Sequence, residues 1–375
     1  MKVLLTNFHP GRGGGHDTYI EALARGLRDR LGICVAAPST STLFSRIRAM
    51  AGVTAVPMSF PGKLKEWRAM VPAIRDLKTL ILQERFDVIH VNGAADHKLA
   101  MVATAALGAQ RPRIVLTKHN SIPVKPGLTN RLRARFATDE VIAVSASTAA
   151  MMKATPYGRC RITVIKNGVD VERFSPLGEA EARQRRMQLL GADRADKLVL
   201  GTVTGFEWYK GTMDMVEAVA SLPQPVRDRV HIVVAGIEPT AEQWRIIDQL
   251  GMRPQISAVG LVEDVRDYIP VFDLGFVLSY AVETVSFACR EMMAMGKPVM
   301  VARYAGLPEN IDDGSDGWIV EPRAVEEVAG KLADIARQRA TLVPMGSRAR
   351  AKAEAEFSDH SFIQATEEVY RRLCA

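Results

Sequence analysis

The sequence predicts an α/β protein built on two open parallel sheets. At 375 residues, the chain is longer than one hydrophobic core usually serves, so two domains are expected. Short β-branched runs alternate with longer amphipathic segments, which is typical of parallel strands joined by crossover helices. This alternation restarts after residue 168, so each half is expected to form its own doubly wound sheet.

The composition is that of an ordinary soluble protein, with 47% hydrophobic and 24% charged residues. The longest uncharged apolar stretches, such as residues 99–109, fall short of the roughly 18 residues of a membrane helix. Residues 1–5 turn polar at Thr6, which indicates a first strand and not a signal peptide. The four cysteines show no paired spacing, which favours a reducing cytoplasm over a disulfide or zinc framework.

The net charge of +7 is unevenly distributed along the chain. Residues 1–168 contain 25 Lys and Arg against 10 Asp and Glu, or +15, and the remaining 24 and 32 give −8. A strongly positive half suggests an anionic surface, lipid phosphate or nucleic acid as partner, with simple solubility as the alternative. Nucleic acid is disfavoured, because the basic half has no recognisable reading module and aromatic residues are 6% of the chain.

In the first half, strands are expected at residues 3–5, 33–36, 88–91, 114–116, 141–144 and 162–165. A glycine loop, residues 11–15, separates the first strand from a helix at 18–30. Consecutive glycines let a backbone approach a ligand closely, and a helix start favours an anion. A dinucleotide fingerprint would need a glycine at His16 and an acidic residue near 36–38, where the chain has Ala-Ala-Pro. The loop is therefore either a structural turn or a binding loop.

A basic amphipathic helix is expected at residues 63–86, where apolar positions recur at spacings of three and four. Near its start, Trp67 lies close in sequence to Lys63, Lys65 and Arg68, a pattern typical of an interfacial helix on anionic lipid. An ordinary packed helix with a basic outer face has the same pattern. A second basic cluster favours a membrane or an anionic acceptor: Lys125, Arg131, Arg133 and Arg135.

His119 follows a predicted strand, at the edge where a doubly wound sheet presents functional groups. It is either functional or a hydrogen-bonded structural residue. His90 and His97 have no carboxylate or partner histidine at metal-ligand spacing, so no metal site is predicted.

In the second half, strands are expected at residues 198–203, 230–235, 256–259, 274–278, 299–302 and 318–320. The turn-like pair Asn167 and Gly168 places the linker near residues 166–178. Two such sheets facing one another leave a cleft between their strand ends, where a ligand is expected.

Glu283 and Glu291 stand eight residues apart in a strand, loop, helix, strand setting. If Ser286 caps the helix, its first amides point toward whatever lies between the carboxylates. At a rise of about 1.5 Å per residue the pair would be roughly 12 Å apart, too far for the roughly 5 Å couple of a retaining glycosidase. They are either two anchors on an elongated ligand or ordinary surface glutamates.

Together these motifs resemble the family 4 glycosyltransferases of the two-domain GT-B fold. The resemblance covers nearly the whole chain: the glycine loop, residues 86–91 and 167–174, Lys210-Gly211, the two glutamates, and residues 305–314. Residues 357–373 are similar to the family's last helix, which crosses back to the first domain. The resemblance thus implies an acceptor-side domain at 1–168 plus 358–375, and a nucleotide-sugar-binding domain at 169–357, facing across a cleft.

The resemblance also implies residue roles. Glu291 would hold the ribose hydroxyls, Glu283 a donor-sugar hydroxyl and Lys210 the diphosphate, while His119 would lie beside the transferred sugar. Carboxylates suit such roles because each accepts more than one hydroxyl donor. Backbone amides would complete a phosphate and sugar cradle at Gly13, Gly14, Gly15, Thr284, Val285, Ser286 and Phe287.

The implied reaction is retaining transfer from a nucleotide diphosphate sugar, with no cofactor and usually no divalent metal. The leaving phosphate would take the acceptor proton, so that no protein nucleophile is needed. The transferred group would be a hexosyl or N-acetylhexosaminyl unit, and the acceptor a glycan or lipid-linked glycan of bacterial lipopolysaccharide or surface polysaccharide. The enzyme would be cytoplasmic, with peripheral contact at the inner face of the membrane.

One departure from the family pattern is Gly205, which stands where an arginine usually precedes the loop lysine by five residues. Either Arg290, Arg12 or another basic group replaces that arginine, or the donor is held differently, or the activity is low. Ser286 and Phe287 also stand where a glycine-containing run is common. Two alternatives therefore remain: a GT-B-fold nucleotide-sugar epimerase, and a catalytically weak nucleotide-binding subunit.

Overall fold

The computed structural model describes residues 1–11 and 13–375, and the chain divides into two compact units. Unit 1 comprises Met1–Gly168 and Asp359–Ala375, and unit 2 comprises Val169–Ser358. Each unit is built on a sheet whose described strand pairs are all parallel. The predicted doubly wound α/β class is confirmed.

The strands of unit 1 are ordered β3-β2-β1-β4-β5-β6-β7 across the sheet, and those of unit 2 are ordered β10-β9-β8-β11-β12-β13. Their bounds are β1 Lys2–Thr6, β2 Gly32–Ala37, β3 Val53–Pro57, β4 Val88–Val91, β5 Arg113–Lys118, β6 Glu140–Ala143, β7 Arg161–Val164, β8 Leu198–Thr202, β9 Val230–Ala235, β10 Ile256–Gly260, β11 Leu274–Val277, β12 Val299–Ala302 and β13 Gly317–Val320.

The helices cover both faces of each sheet. Their bounds are α1 Gly15–Leu27, α2 Thr42–Arg48, α3 Trp67–Glu84, α4 Ala94–Thr104, α5 Leu128–Phe136, α6 Ala146–Lys153, α7 Glu179–Leu190, α8 Ala192–Ala195, α9 Thr212–Ala220, α10 Gln224–Arg227, α11 Ala241–Gln249, α12 Phe287–Ala294, α13 Val325–Arg337, α14 Leu342–Glu356 and α15 Asp359–Cys374.

The strand pattern was predictable wherever a strand is buried. Every strand expected from the sequence is present in the sheets, and the one missed in unit 1 is β3. This strand lies at the sheet edge, is largely part-exposed and ends at Pro57, so it lacks the apolar run that marks a central strand.

Helix α15 belongs to unit 1 although it follows unit 2 in the chain. Its Tyr370 is fully buried, and the phenol oxygen lies 2.5 Å from Nδ1 of His90 in β4. Phe362 packs against Tyr19 of α1 with ring centroids 5.0 Å apart. A Cβ on Gly26 of α1 would come within 2.2 Å of Ile363, so a glycine there permits the close approach of α1 and α15.

We expect Tyr370→Ala to destabilise unit 1 by about 3–5 kcal/mol, because it opens a cavity and leaves His90 without its phenol partner. Urea unfolding would measure this loss. Gln364→Ala on the exposed face of the same helix is the control, with an expected change within about 0.5 kcal/mol. Equal midpoints for the two variants would contradict the docking role of Tyr370.

Candidate active site

The loop between β11 and α12 carries Glu283, and α12 itself carries Glu291. Ser286 caps α12 as expected, since its hydroxyl accepts a hydrogen bond from the Cys289 amide at 3.4 Å. Glu283 lies in the loop before the cap, and Glu291 is the fifth residue of the helix. Thr284, Val285 and Ser286 are buried, while Phe287 is partly exposed. The helix start therefore has the polarity that favours an anion.

Two loop residues are held in a conformation that L-amino acids rarely adopt. Val282 has φ +63° and Ser286 has φ +54°. Each costs on the order of 1–3 kcal/mol, so the surrounding structure must enforce it.

A buried polar pair behind the loop supplies this enforcement. Arg290 is fully buried, and its Nε donates to Oδ1 of Asn310 at 2.9 Å. The side-chain Nδ2 of Asn310 in turn donates to the backbone carbonyls of Val285 at 2.7 Å and Leu307 at 3.1 Å. The Arg290 guanidinium also lies 4.3 Å from the centre of the Phe357 ring. The pair therefore fixes the loop backbone from the core side.

Lys210 and Glu283 form an ion pair beside this helix start. Lys210 Nζ donates to Oε2 of Glu283 at 2.9 Å, and both side chains are largely buried. The other carboxylate oxygen, Oε1, accepts from the Thr284 amide at 3.2 Å. Desolvation alone would lower the pKa of Lys210, but the attraction of Glu283, Tyr209 and Glu207 outweighs it and raises the pKa. Lys210 is therefore fully charged at pH 7.

The lysine loop makes close backbone contacts with the segment that follows β11. Gly211 has φ +69°, and a Cβ there would lie 2.2 Å from the Leu278 carbonyl oxygen. The Tyr280 amide donates to the Tyr209 carbonyl at 3.0 Å. Only glycine suits residue 211, because the backbone conformation is left-handed and a Cβ would collide with the Leu278 carbonyl.

The carboxyl group of Glu291 has a pKa that burial shifts upward. Burial raises its pKa to about 7, partly offset by Arg173 and reinforced by Asp264. Within the described residues its carboxyl group has no hydrogen-bond or ion-pair partner. A part-buried carboxyl of this kind is suited to accept hydrogen bonds from ligand hydroxyls.

Gly205 occupies the family arginine position for a structural reason. It has φ +73°, and a Cβ would lie 2.4 Å from the Ile237 backbone nitrogen. The adjacent Phe206 amide donates to the Ile237 carbonyl at 2.8 Å, and Thr212 donates to the Gly205 carbonyl at 2.6 Å. The loops around Gly205 and Ile237 are thus too close for a side chain at residue 205.

Arg290 and Arg12 are the two candidates for replacing the arginine that is absent at residue 205. Arg290 is committed to Asn310 and the core, so it does not present its guanidinium to a ligand. Arg12 lies outside the described residues.

In unit 1, a buried carboxylate shapes the glycine loop. Asp17 accepts hydrogen bonds from Asn7 Nδ2 at 2.8 Å, the Gly13 amide at 2.9 Å and the Thr42 hydroxyl at 2.8 Å. A Cβ on Gly13 would lie 2.1 Å from Asp17 Oδ1. The Gly13 amide is therefore used within the protein, and a ligand at this loop would meet Gly14 and Gly15, the start of α1. Sequence reasoning missed Asp17, although its place in the first turn of a helix after glycines was a usable signal.

His119 lies in a cluster of neutral imidazoles at the carboxyl ends of β1 and β5. Its ring is 4.3 Å from that of His16, which is 4.7 Å from His9. Asn92 donates to the Thr6 carbonyl, so its Oδ1 accepts from His119 Nε2 at 2.8 Å. Burial and the neighbouring His16 hold the pKa of His119 well below its usual range, and burial lowers the pKa of His16 to about 4. At pH 7 this surface therefore offers uncharged rings. Asn92, which fixes the His119 tautomer, was also missed.

The basic residues near α3 are at the surface. Lys63 precedes the short turn before α3, and Lys65 lies within it. Arg68 lies 5.4 Å from the ring of Trp67, which is 57% exposed. The helix begins at Trp67 and not at residue 63, and its Leu77 and Ile81 pack into the core. The second basic cluster is divided, because Arg133 is buried and donates to the Ala94 carbonyl at 2.9 Å.

The two remaining histidines of interest are structural. His90 binds Tyr370 and Thr117, and His97 lies 2.8 Å from the Ala137 carbonyl. In the part of the chain that is described, no three His, Cys, Asp or Glu side chains converge as a metal site requires. No described helix combines the length and apolarity needed to cross a bilayer.

Two family models together match most of the chain. The model described as Glycosyltransferase Family 4 matches residues 13–173, and the model described as Glycosyl transferases group 1 matches residues 197–338. Among solved structures, the Anabaena protein HepE in complex with UDP covers 99% of this chain and 100% of its own, with a TM-score of 0.83 at 20% identity. The fold is therefore GT-B.

Curated relatives agree with this class. The N-acetyl-α-D-glucosaminyl L-malate synthase of Bacillus anthracis is 23% identical, over 77% of this chain and 75% of its own. The GDP-mannose-dependent α-(1-6)-phosphatidylinositol monomannoside mannosyltransferase of Mycobacterium tuberculosis is 26% identical, over 93% and 92%. The chain belongs to glycosyltransferase family 4 and is therefore an enzyme that transfers sugars.

We expect that restoring the family arginine by Gly205→Arg will not improve the enzyme. The new Cβ would meet the Ile237 backbone, so the variant should lose at least about 2 kcal/mol of stability and gain no turnover. Gly178→Arg is the control, because Gly178 is exposed with φ −60° and open space around its Cα. Thermal unfolding and donor turnover would be compared, and a stable, more active Gly205→Arg enzyme would contradict the steric explanation.

Proposed function

We propose that this enzyme transfers a sugar, with retention of anomeric configuration, from a nucleoside diphosphate sugar to a glycan or lipid-linked acceptor. The acceptor would belong to bacterial lipopolysaccharide or surface polysaccharide. The observation that carries the proposal is the Lys210–Glu283 pair beside the capped start of α12. HepE was solved with UDP and with UDP-glucose, and the mycobacterial relative is named for GDP-mannose, which supports a nucleotide sugar without selecting the base.

In this proposal Lys210 contacts the diphosphate and offsets the negative charge that develops on the leaving group. Its raised pKa keeps the ammonium charged for that role. The amides at the start of α12 add a dipole of the same sign. Glu291 receives the ribose hydroxyls, and in unit 1 the neutral His119 contacts the transferred sugar.

Glu283 is proposed to bind a donor-sugar hydroxyl and not to act as a nucleophile. Its Oε2 accepts a hydrogen bond from Lys210 and its Oε1 accepts one from the Thr284 amide, so both oxygens are engaged and the group is a poor nucleophile. This supports a front-face reaction in which the leaving phosphate accepts the proton of the acceptor hydroxyl. None of the steps proposed here requires a metal ion.

A catalytically weak nucleotide-binding subunit is the second candidate, and Gly205 is the observation that favours it. Without the arginine, the diphosphate loses one charge-assisted contact. Two results together would support this second candidate. Thermal shift would show nucleotide binding, and no donor and acceptor pair tested would give turnover.

The decisive experiment is a panel of UDP- and GDP-sugars assayed for binding and slow hydrolysis. A donor that both binds and hydrolyses would then be used with lipid-linked glycan acceptors, and proton NMR of the product would report the anomeric configuration. Inversion would overturn the retaining mechanism. Binding without hydrolysis or transfer would favour the subunit reading.

We expect Lys210→Ala to lower kcat/KM about 10- to 100-fold, equivalent to roughly 1.4–2.8 kcal/mol of transition-state stabilisation. The reason is the loss of the cation that faces the leaving phosphate. Lys331→Ala on α13, outside the site, controls for general effects of removing a lysine. Turnover at the wild-type level in Lys210→Ala would remove the assignment.

We expect nucleotide affinity to rise with pH through about 7, because the pKa of Glu291 is about 7, above its ordinary 4.5, and the carboxylate is the better acceptor for ribose hydroxyls. The same shift makes the folded enzyme lose stability as the pH rises from about 4.5 to about 7. Glu291→Gln should remove this pH dependence of nucleotide affinity and this pH dependence of folding stability.

Calorimetric titration of UDP and GDP between pH 5.5 and 8 would check the binding dependence. The phosphate of the nucleotide titrates in the same range, so the difference between wild type and Glu291→Gln is the quantity to compare. Identical pH profiles would show that Glu291 does not bind the ribose.

A further inference from the structure

Helix α5 presents an apolar stripe that no part of unit 1 covers. Leu128, Leu132 and Phe136 are 72%, 38% and 57% exposed. Their spacing of four places them along one side of the helix. Ile122, in the loop that leads to α5, is also exposed.

The opposite side of α5 fixes the helix on the unit. Ala134 and Arg133 are buried, and Arg133 donates to the Ala94 carbonyl at the start of α4. Asn130 holds the preceding loop through a 2.7 Å hydrogen bond to the Lys125 carbonyl. The exposed stripe is therefore displayed by an anchored helix and is not needed for packing.

Unpaired cations flank the stripe. Lys125, Arg131 and Arg135 are exposed, and none has a carboxylate partner among the described residues. From residue 97 to residue 138 the sequence contains eight Lys or Arg and no Asp or Glu. The next acid, Asp139, is already bound by Arg111 at 2.9 Å and lies 3.6 Å from Arg113.

This combination selects an anionic bilayer over a protein partner. Apolar side chains on a short helix enter the boundary between headgroups and acyl chains, while adjacent Arg and Lys side chains reach lipid phosphates. A protein interface would instead desolvate these cations and would need carboxylates opposite each of them. At nine residues, α5 is about 14 Å long and suits lying in the membrane plane, not crossing it.

The neighbouring helices strengthen the argument. Helix α4 packs against both α3 and α5, so the three lie side by side on one face of the unit 1 sheet. Trp67 and Val71 of α3 and Val102 of α4 are exposed apolar residues in the same layer. Lys153 and Arg159, near the turn that packs against α5, are exposed cations as well.

We propose that α5 and its preceding loop form a membrane anchor that binds anionic phospholipid through Leu128, Leu132 and Phe136 in the interface and Lys125, Arg131 and Arg135 on the phosphates. This proposal rests on the membrane-linked acceptor proposed above, and it names the surface that would bring the enzyme to that acceptor. Vesicle binding needs no sugar transfer, so the two proposals can fail separately.

The test is flotation of the full chain with vesicles of phosphatidylglycerol and phosphatidylcholine, and with phosphatidylcholine alone. The apolar variant is Leu128→Ser, Leu132→Ser, Phe136→Ser. Its matched control is Leu189→Ser, Leu261→Ser, Val343→Ser, whose residues in unit 2 are 38%, 67% and 76% exposed. Thermal unfolding of both variants verifies that they remain folded.

We expect the apolar variant to bind anionic vesicles at least roughly tenfold more weakly than wild type, and the control to bind as wild type. Arg131→Gln with Arg135→Gln should weaken anionic binding by about fivefold per residue and leave the weak binding to neutral vesicles unchanged. Hydrolysis of a soluble nucleotide sugar should be the same in all variants.

Equal flotation of the apolar variant and wild type, or no wild-type binding to anionic vesicles, would overturn the proposal. So would a dimer in analytical ultracentrifugation that the apolar variant converts to monomer while flotation stays unchanged, because the stripe would then be a contact between copies of the chain.

Discussion

The buried guanidinium of Arg290 is the constraint on which the candidate donor site depends. Through Asn310 it holds the carbonyls of Val285 and Leu307, and so keeps Val282 and Ser286 in a strained backbone conformation. That conformation turns the chain so that Glu283 reaches Lys210 and α12 begins at Phe287. Arg290 stays protonated although burial lowers its pKa to about 10, and this charge inside the core thereby positions the largely buried Lys210–Glu283 pair.

The two units differ in the chemistry of the residues singled out in each. Unit 2 contributes charge: a protonated lysine, a carboxylate bound at both oxygens, and a second carboxyl whose pKa lies near neutrality. Unit 1 contributes uncharged imidazoles and a glycine loop whose shape is set by Asp17. A phosphate needs the first environment, and the hydroxyl groups of a sugar are compatible with the second.

The sequence was sufficient for features that depend on local pattern. Buried strands, the capping role of Ser286 and the place of Glu291 within α12 follow from apolar runs and cap chemistry. Features that depend on distant contacts were not predictable. Arg133 looked like a surface cation but binds the start of α4, and Gly205 looked like a lost contact but is required by the Ile237 backbone. In both cases the partner lies more than 30 residues away in the sequence.

Because α15 follows unit 2 in the chain but packs on α1, unit 1 cannot be completed in the order in which it is synthesised. The ribosome releases the seven strands of its sheet first, and the apolar face around Tyr19 and His90 stays uncovered until Val169–Ser358 has also emerged. Unit 2 is one continuous segment, so its completion needs no later part of the chain. Chaperone demand in the cell should therefore fall mainly on the first half of the chain.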